Sequence, residues 1–115
     1  MLFVCYTKCS TCKKARKFLE ERGVAFDVRD VKEQPPTAEE LEQWWKKSGL
    51  PLKKLFNTSG QQYRALGLSA RLPEMSEAEQ LALLASDGML VKRPILVTED
   101  AVLVGFRQED WEKLL

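Results

Sequence analysis

Tyr6-Thr7-Lys8-Cys9-Ser10-Thr11-Cys12-Lys13-Lys14-Ala15 is the stretch on which the fold of this 115-residue chain turns. In front of it, the apolar run Leu2 to Tyr6 reads as a buried strand. Thr7 to Thr11 reads as a loop. From Cys12 to Arg22 the pattern is helical, with Cys12, Ala15, Phe18 and Leu19 on one face and Lys13, Lys14, Lys17 and Glu21 outward. Gly23 stands where a helix C-terminus wants a left-handed residue, and Ala25 to Arg29 reads as a second strand. The three elements make a βαβ unit, whose strands should be parallel and whose crossover should be right-handed.

Further along, Gln34-Pro35-Pro36 interrupts the pattern. Thr37 and Glu40 then fit a capping box, in which each side chain accepts the other residue's backbone N–H. Leu41, Trp44 and Trp45 give this helix its apolar side; two adjacent tryptophans cannot both face one core, so one should be partly exposed. Ser48-Gly49-Leu50-Pro51 ends it. A helix is expected from near Ser59, with Gln62 in the box position, carrying Tyr63 and Leu66. Another opens at Ser76 with Glu79, runs through Leu81, Leu84 and Ala85, and closes at Asp87-Gly88. Ile95 to Thr98 and Ala101 to Val104 form a β-hairpin across Glu99-Asp100, and Gln108 to Leu115 is a short amphipathic helix. The order is βαβ, several helices, ββα. We read it as an α/β chain of one domain, 1–115, with a helical insertion over about 35–90.

Composition narrows the chemistry. With 18 Lys and Arg against 17 Asp and Glu, the formal net charge is +1. No global field draws nucleic acid or a membrane surface, and the basic cluster of Lys46, Lys47, Lys53 and Lys54 is too small to argue for nucleic acid. No apolar run reaches the roughly 18 residues of a membrane span, and Met1 to Tyr6 lacks the features of a signal peptide. The expectation is a cytoplasmic location. The chain has no histidine, so a Ser-His-Asp or Cys-His nucleophile and imidazole-ligated zinc are excluded. Three cysteines are too few for a four-thiolate metal site, and no metal is expected.

Cys9 and Cys12 are a Cys-x-x-Cys pair at a strand-to-helix junction. A helix N-terminus offers free N–H groups and partial positive charge, which stabilise a thiolate. Lys8, Lys13, Lys14 and Arg16 stand nearby in sequence. Cys9, before the helix, should be exposed and reactive; Cys12, in the first turn, should be shielded and able to resolve the product as a disulfide. The same spacing also occurs in half a zinc site, but the βαβ setting favours thioredoxin-like redox chemistry. Cys5, in the first strand, reads as a small core residue, and the tryptophans as core or surface cover rather than ligand platforms. Pro94, just before a strand, is a position where a cis peptide can occur. Arg93 beside it either points at a thiolate or oxyanion or is a surface arginine at a strand start.

These residues resemble the arsenate reductase ArsC and Spx family across nearly the whole chain. The likeness rests on Tyr6-x-x-Cys9-Ser10-Thr11-Cys12-Lys13-Lys14-Ala15, Gln34-Pro35-Pro36, Asn57-Thr58-Ser59-Gly60 with Tyr63, Leu90 to Ile95, and Val104-Gly105-Phe106. The resemblance implies a glutaredoxin-like variant of the thioredoxin fold with a mixed four-stranded sheet and a helical insertion. It implies that Cys9 attacks a small oxyanion or a disulfide, that Arg93 holds the oxyanion, that Pro94 is cis, and that glutathione with glutaredoxin, or thioredoxin, supplies electrons without a bound cofactor. We therefore expect Cys9, Cys12 and Arg93 as the chemical residues, a Cys9–Cys12 redox disulfide, and Pro94, Lys8 and Lys13 shaping the site.

Two departures stand out. Glutaredoxin-linked ArsC enzymes typically lack the second cysteine that this chain has at Cys12 and that the Spx branch shares. Two further anion-binding arginines of the enzymes match Asn57 and a position at or beside Phe106, next to Arg107. Each lost charge-assisted contact weakens anion binding by ~1.5–3 kcal/mol. The Spx branch implies a second reading, a redox-sensing transcription regulator that binds the C-terminal domain of the RNA polymerase α subunit, with the loop around Gly49 as the candidate contact.

Overall fold

The computed structural model describes residues 1–115. Its sheet has four strands in the order β2-β1-β3-β4: β1 (Leu2–Cys5), β2 (Asp27–Asp30), β3 (Ile95–Val97) and β4 (Val102–Val104). β1 and β2 are parallel, while β3 runs antiparallel to both β1 and β4. The fold is thioredoxin-like: a βαβ half and a ββα half share one mixed sheet.

The crossover helix α1 (Ser10–Glu21) begins two residues earlier than its apolar pattern suggests. Cys9 is its extended N-cap, at φ −91° and ψ 121°. Ser10 and Thr11 occupy the first turn, where an N–H needs no intrahelical partner. Gly23, at φ 68°, turns the chain back. β2 begins at Asp27 rather than Ala25, because its partner β1 begins only at Leu2.

Two helices of the insertion start where their capping boxes lie. Thr37 Oγ1 accepts the Glu40 N–H at 3.1 Å, and Glu40 Oε1 accepts the Thr37 N–H at 3.0 Å, opening α2 (Ala38–Ser48). Gly49 ends α2 at φ 69°. Ser76 and Glu79 make the same reciprocal pair ahead of α5 (Glu77–Ser86). Between them, α3 (Gln61–Ala65) differs from the expectation: Gly60 is the N-cap, and no box forms. The Ser59 hydroxyl turns instead toward Asn57 Oδ1, at 3.4 Å. Tyr63 is buried, but Leu66 is 37% exposed, since α3 has ended before it. Gly67, at φ 63°, leads into α4 (Leu68–Arg71).

Side chains alternate across the sheet and build two cores. Phe3, Cys5 and Leu96 pack with Cys12, Ala15, Phe18 and Leu19 of α1 and with Trp111 of α6 (Gln108–Leu114). Val4 and Ile95 face the other way, into a larger cluster with Leu41, Trp44, Leu55, Leu81 and Leu84. Trp44 is buried, while Trp45 is half-buried with its indole N–H on the Leu50 carbonyl at 2.9 Å. The insertion is stitched to the sheet half by backbone. The Asn57 N–H donates to the Leu90 carbonyl and the Lys92 N–H to the Leu55 carbonyl, each at 2.7 Å. Gly88 lies so close to the end of β2 that an added Cβ would sit 1.7 Å from the Val31 carbonyl oxygen. No helix is long and apolar enough to cross a membrane.

Candidate functional site

β1 ends in a turn closed by the Cys9 N–H donating to the Tyr6 carbonyl at 3.0 Å. This turn sets Cys9 at the mouth of α1. The N-cap position ordinarily holds Ser, Thr, Asp or Asn, whose side-chain oxygen accepts a first-turn N–H. As a thiol, Cys9 makes no such bond; as a thiolate it can take the role of the oxygen. Partial burial raises its pKa. The Cys12 amide and thiol, the Arg93 charge and the Thr11 amide outweigh that cost, and the pKa falls below the ordinary thiol value.

Cys12 behaves oppositely. It is buried, and its Sγ accepts the Tyr6 N–H at 3.4 Å. Burial pushes its pKa up to about 12, the Tyr6 N–H opposing and the neighbouring Cys9 adding to the rise. The result is a division of labour: a half-buried, acidified thiol above a buried, protonated one. Cys5 is buried in β1, and burial together with Asp30 raises its pKa. All three cysteines are free thiols. No group of three or more Cys, Asp or Glu side chains is placed to hold a metal ion.

Arg93 reaches the site from the far end of the chain, where the Arg93–Pro94 peptide is cis and Pro94 is buried. Its guanidinium lies over the Tyr6 ring, 5.2 Å from the centroid, and Nη1 donates to the Met89 carbonyl at 3.4 Å. Its Nε is buried without a protein partner. Cys9 and Arg93 line one cleft of about 500 Å³ with Thr11, Asn57, Gln61 and Lys92. Lys8 and Lys13 do not line it; both are exposed. The cation that lowers the Cys9 pKa is Arg93, distant in sequence, rather than the adjacent lysines.

Asn57 and Lys92 enter the cleft through the backbone pairing of 55–57 with 90–92, and nothing local in sequence marks that pairing. Asn57 is a cleft residue without charge, and Gly60 is packed beneath it: a Cβ there would approach Asn57 Nδ2 to 2.6 Å. Phe106 does not face the cleft as a ligand. It packs edge-on against Trp111 at 5.0 Å and tilted against Phe18 at 5.7 Å. Arg107 is exposed, beyond the cleft.

The ArsC family model matches residues 5–114. The chain belongs to the ArsC family. It is 52% identical over 113 residues to the uncharacterized protein YusI of Bacillus subtilis, covering 98% of this chain and 96% of that one. A solved ArsC-family-related protein of Bacteroides fragilis is 55% identical, with a TM-score of 0.96 over 99% of this chain and 96% of that one. The solved arsenate reductase of Vibrio cholerae is 27% identical, with a TM-score of 0.86 over 100% of this chain and 98% of the other. The global transcriptional regulator Spx 2 of Oceanobacillus iheyensis is 28% identical over 93% of this chain and 78% of its own length. This ArsC-family chain is thus related to arsenate reductases and to Spx regulators alike.

Proposed function

We propose that this ArsC-family protein is a thiol–disulfide oxidoreductase with Cys9 as nucleophile and Cys12 as resolving thiol. The observation that carries the reading is the acidified Cys9 in one cleft with Arg93, hydrogen-bonded to a buried and protonated Cys12. The Cys9 thiolate attacks one sulfur of a substrate disulfide and expels the other as a thiolate, leaving a mixed disulfide. Once Cys9 is bonded its negative charge is gone, and one cause of the high Cys12 pKa goes with it. Cys12 then passes its proton to the leaving sulfur and attacks Cys9 Sγ. The products are a Cys9–Cys12 disulfide and a fully reduced substrate. Glutathione with glutaredoxin, or thioredoxin, returns the pair to thiols. With arsenate the same two thiols supply two electrons: Cys9 first displaces water to form a sulfur–arsenic bond, and Cys12 then attacks Cys9 Sγ, forming the Cys9–Cys12 disulfide while the arsenic leaves with the bonding pair as arsenite. Asn57, where the enzymes carry an arginine, makes this the weaker reaction.

The test is reduction of a model disulfide and of arsenate with each donor system. Wild type should turn over the disulfide, Cys9→Ser should lose all turnover, and Cys12→Ser should accumulate a mixed disulfide visible by intact mass. Indistinguishable wild type and Cys9→Ser would remove the reading.

Kinship with Spx 2 and the shared pair support a second reading: a redox-sensing regulator that binds the RNA polymerase α C-terminal domain. Pull-down with that domain by the oxidised and reduced forms separates the two. Binding in one redox state favours regulation, and absence of binding in both ends that reading.

A further inference from the structure

Beside the Cys9 cleft runs a larger groove of about 1090 Å³, which shares Thr11, Lys92 and Arg93 with it. One wall is β4 and the chain after it; the other is the insertion, from the end of α2 through Phe56. β4 is an edge strand, hydrogen-bonded only to β3. The Gly105 N–H donates to the Pro94 carbonyl and the Thr98 N–H to the Ala101 carbonyl, each at 2.8 Å. Residues 101, 103 and 105 therefore turn their backbone groups inward. By the alternation of an antiparallel ladder, Val102 and Val104 turn theirs outward; Val102 is buried and Val104 half-buried, so the open part of the edge is at Val104. Sheet edges are commonly blunted by a charge or a proline on the strand, yet Val102-Leu103-Val104 carries neither.

The groove is also charged one way. Lys53, Lys54, Lys92, Arg93 and Arg107 line it against the single carboxylate Asp110, in a chain whose formal net charge is only +1. None of these five cations takes part in an ion pair. Lys53 and Lys54 stand on the wall opposite the strand, so they do not block its edge.

We infer that an extended, acidic segment of a partner polypeptide docks here as an added strand on β4. Main-chain hydrogen bonds at the half-buried Val104 end of β4 hold it, and the lysines of the insertion select its charge. The groove adjoins the Cys9 cleft through Thr11, Lys92 and Arg93. The inference stands on the strand edge and the charge, independently of any redox step.

Fluorescence anisotropy tests it with short labelled peptides that contain no cysteine, so thiol chemistry plays no part. A peptide alternating Glu and Val should bind at least about tenfold more tightly than its Lys and Val counterpart, and should weaken as salt rises. The exposed double variant Lys53→Glu/Lys54→Glu, which brings the groove's charged lining to balance, should remove that preference. Methylating alternate backbone nitrogens of the peptide removes strand donors at constant charge and should abolish binding by wild type. No binding of the acidic peptide, equal binding of the basic one, indifference to N-methylation, or tighter binding of a single-stranded oligonucleotide would each overturn the inference.

Discussion

The two faces of the sheet are built differently. The α1 and α6 face is compact and aromatic: Phe3, Phe18, Phe106 and Trp111 meet edge-on, and Trp111 is fully buried with its indole N–H on the Gly105 carbonyl at 3.1 Å. The insertion face is broader and mostly aliphatic, centred on Leu41, Leu55, Leu84 and Ile95. Cys9 and Cys12 belong to the first face, whereas Asn57 and Lys92 come from the second. The site thus lies on a seam: one layer provides the sulfur and the other the polar wall. The aromatic layer fixes the nucleophile and, through the Cys12 and Thr11 amides, lowers its pKa, while Asn57 and Lys92 come from a segment held by a few backbone hydrogen bonds.

The contrast is broken most severely at Trp111. Trp111→Ala removes the hub of the aromatic face and should cost about 3–5 kcal/mol in urea unfolding, against about 2–5 kcal/mol for Leu84→Ala across the sheet. A smaller loss from Trp111 than from Leu84 would reverse the ranking of the two faces. Next in size is Gly88→Ala. A Cβ there collides with the Val31 backbone, which cannot swing aside as a side chain would. Destabilisation of about 1–3 kcal/mol is expected, together with slower alkylation of Cys9 as the insertion shifts.

The Arg29–Glu40 pair joins β2 to α2 with two charge-assisted bonds, at 2.6 and 3.0 Å. Arg29→Met should cost about 1 kcal/mol. The Arg29 hydrogen bond chiefly holds the Glu40 pKa below the usual carboxylate value. A depressed carboxylate pKa stabilises the fold above its unfolded value, and that stability is lost as pH falls through the folded one. The acid limb of an unfolding profile should therefore flatten in Arg29→Met.

The smallest effect sharpens the comparison at the seam itself. Arg93→Met should move the midpoint of Cys9 alkylation upward in pH without altering Cys12, and Arg93→Lys should restore part of the difference. Lys13→Met should leave the midpoint in place, because Arg93 supplies the cation. If Lys13→Met moved it more than Arg93→Met, the acidity of Cys9 would belong to α1 alone.

Legibility in the sequence followed range. The boxes at Thr37–Glu40 and Ser76–Glu79 were readable because both partners lie within one helical turn. Gly23 and Gly49 marked helix ends for the same reason. Ser59 misled because a box needs a reciprocal Glu or Gln at the right height, and Gln62 does not take that place when Gly60 becomes the cap. β2 starts later than its own residues suggest because strand limits depend on the partner's length, which those residues do not encode.

What the sequence alone determined is the set of elements and the placement of Cys9 and Cys12 at one helix start, since period and capping act over three or four residues. Only tertiary structure decided that Arg93, rather than Lys8 or Lys13, is the cation that adds to the helix-start donors in acidifying Cys9, that Asn57 and Lys92 complete its cleft, and that the end of β4 borders a basic groove. Each depends on which backbone pairs with which across tens of residues. That choice is made by burying two sheet faces at once, and no local pattern carries it.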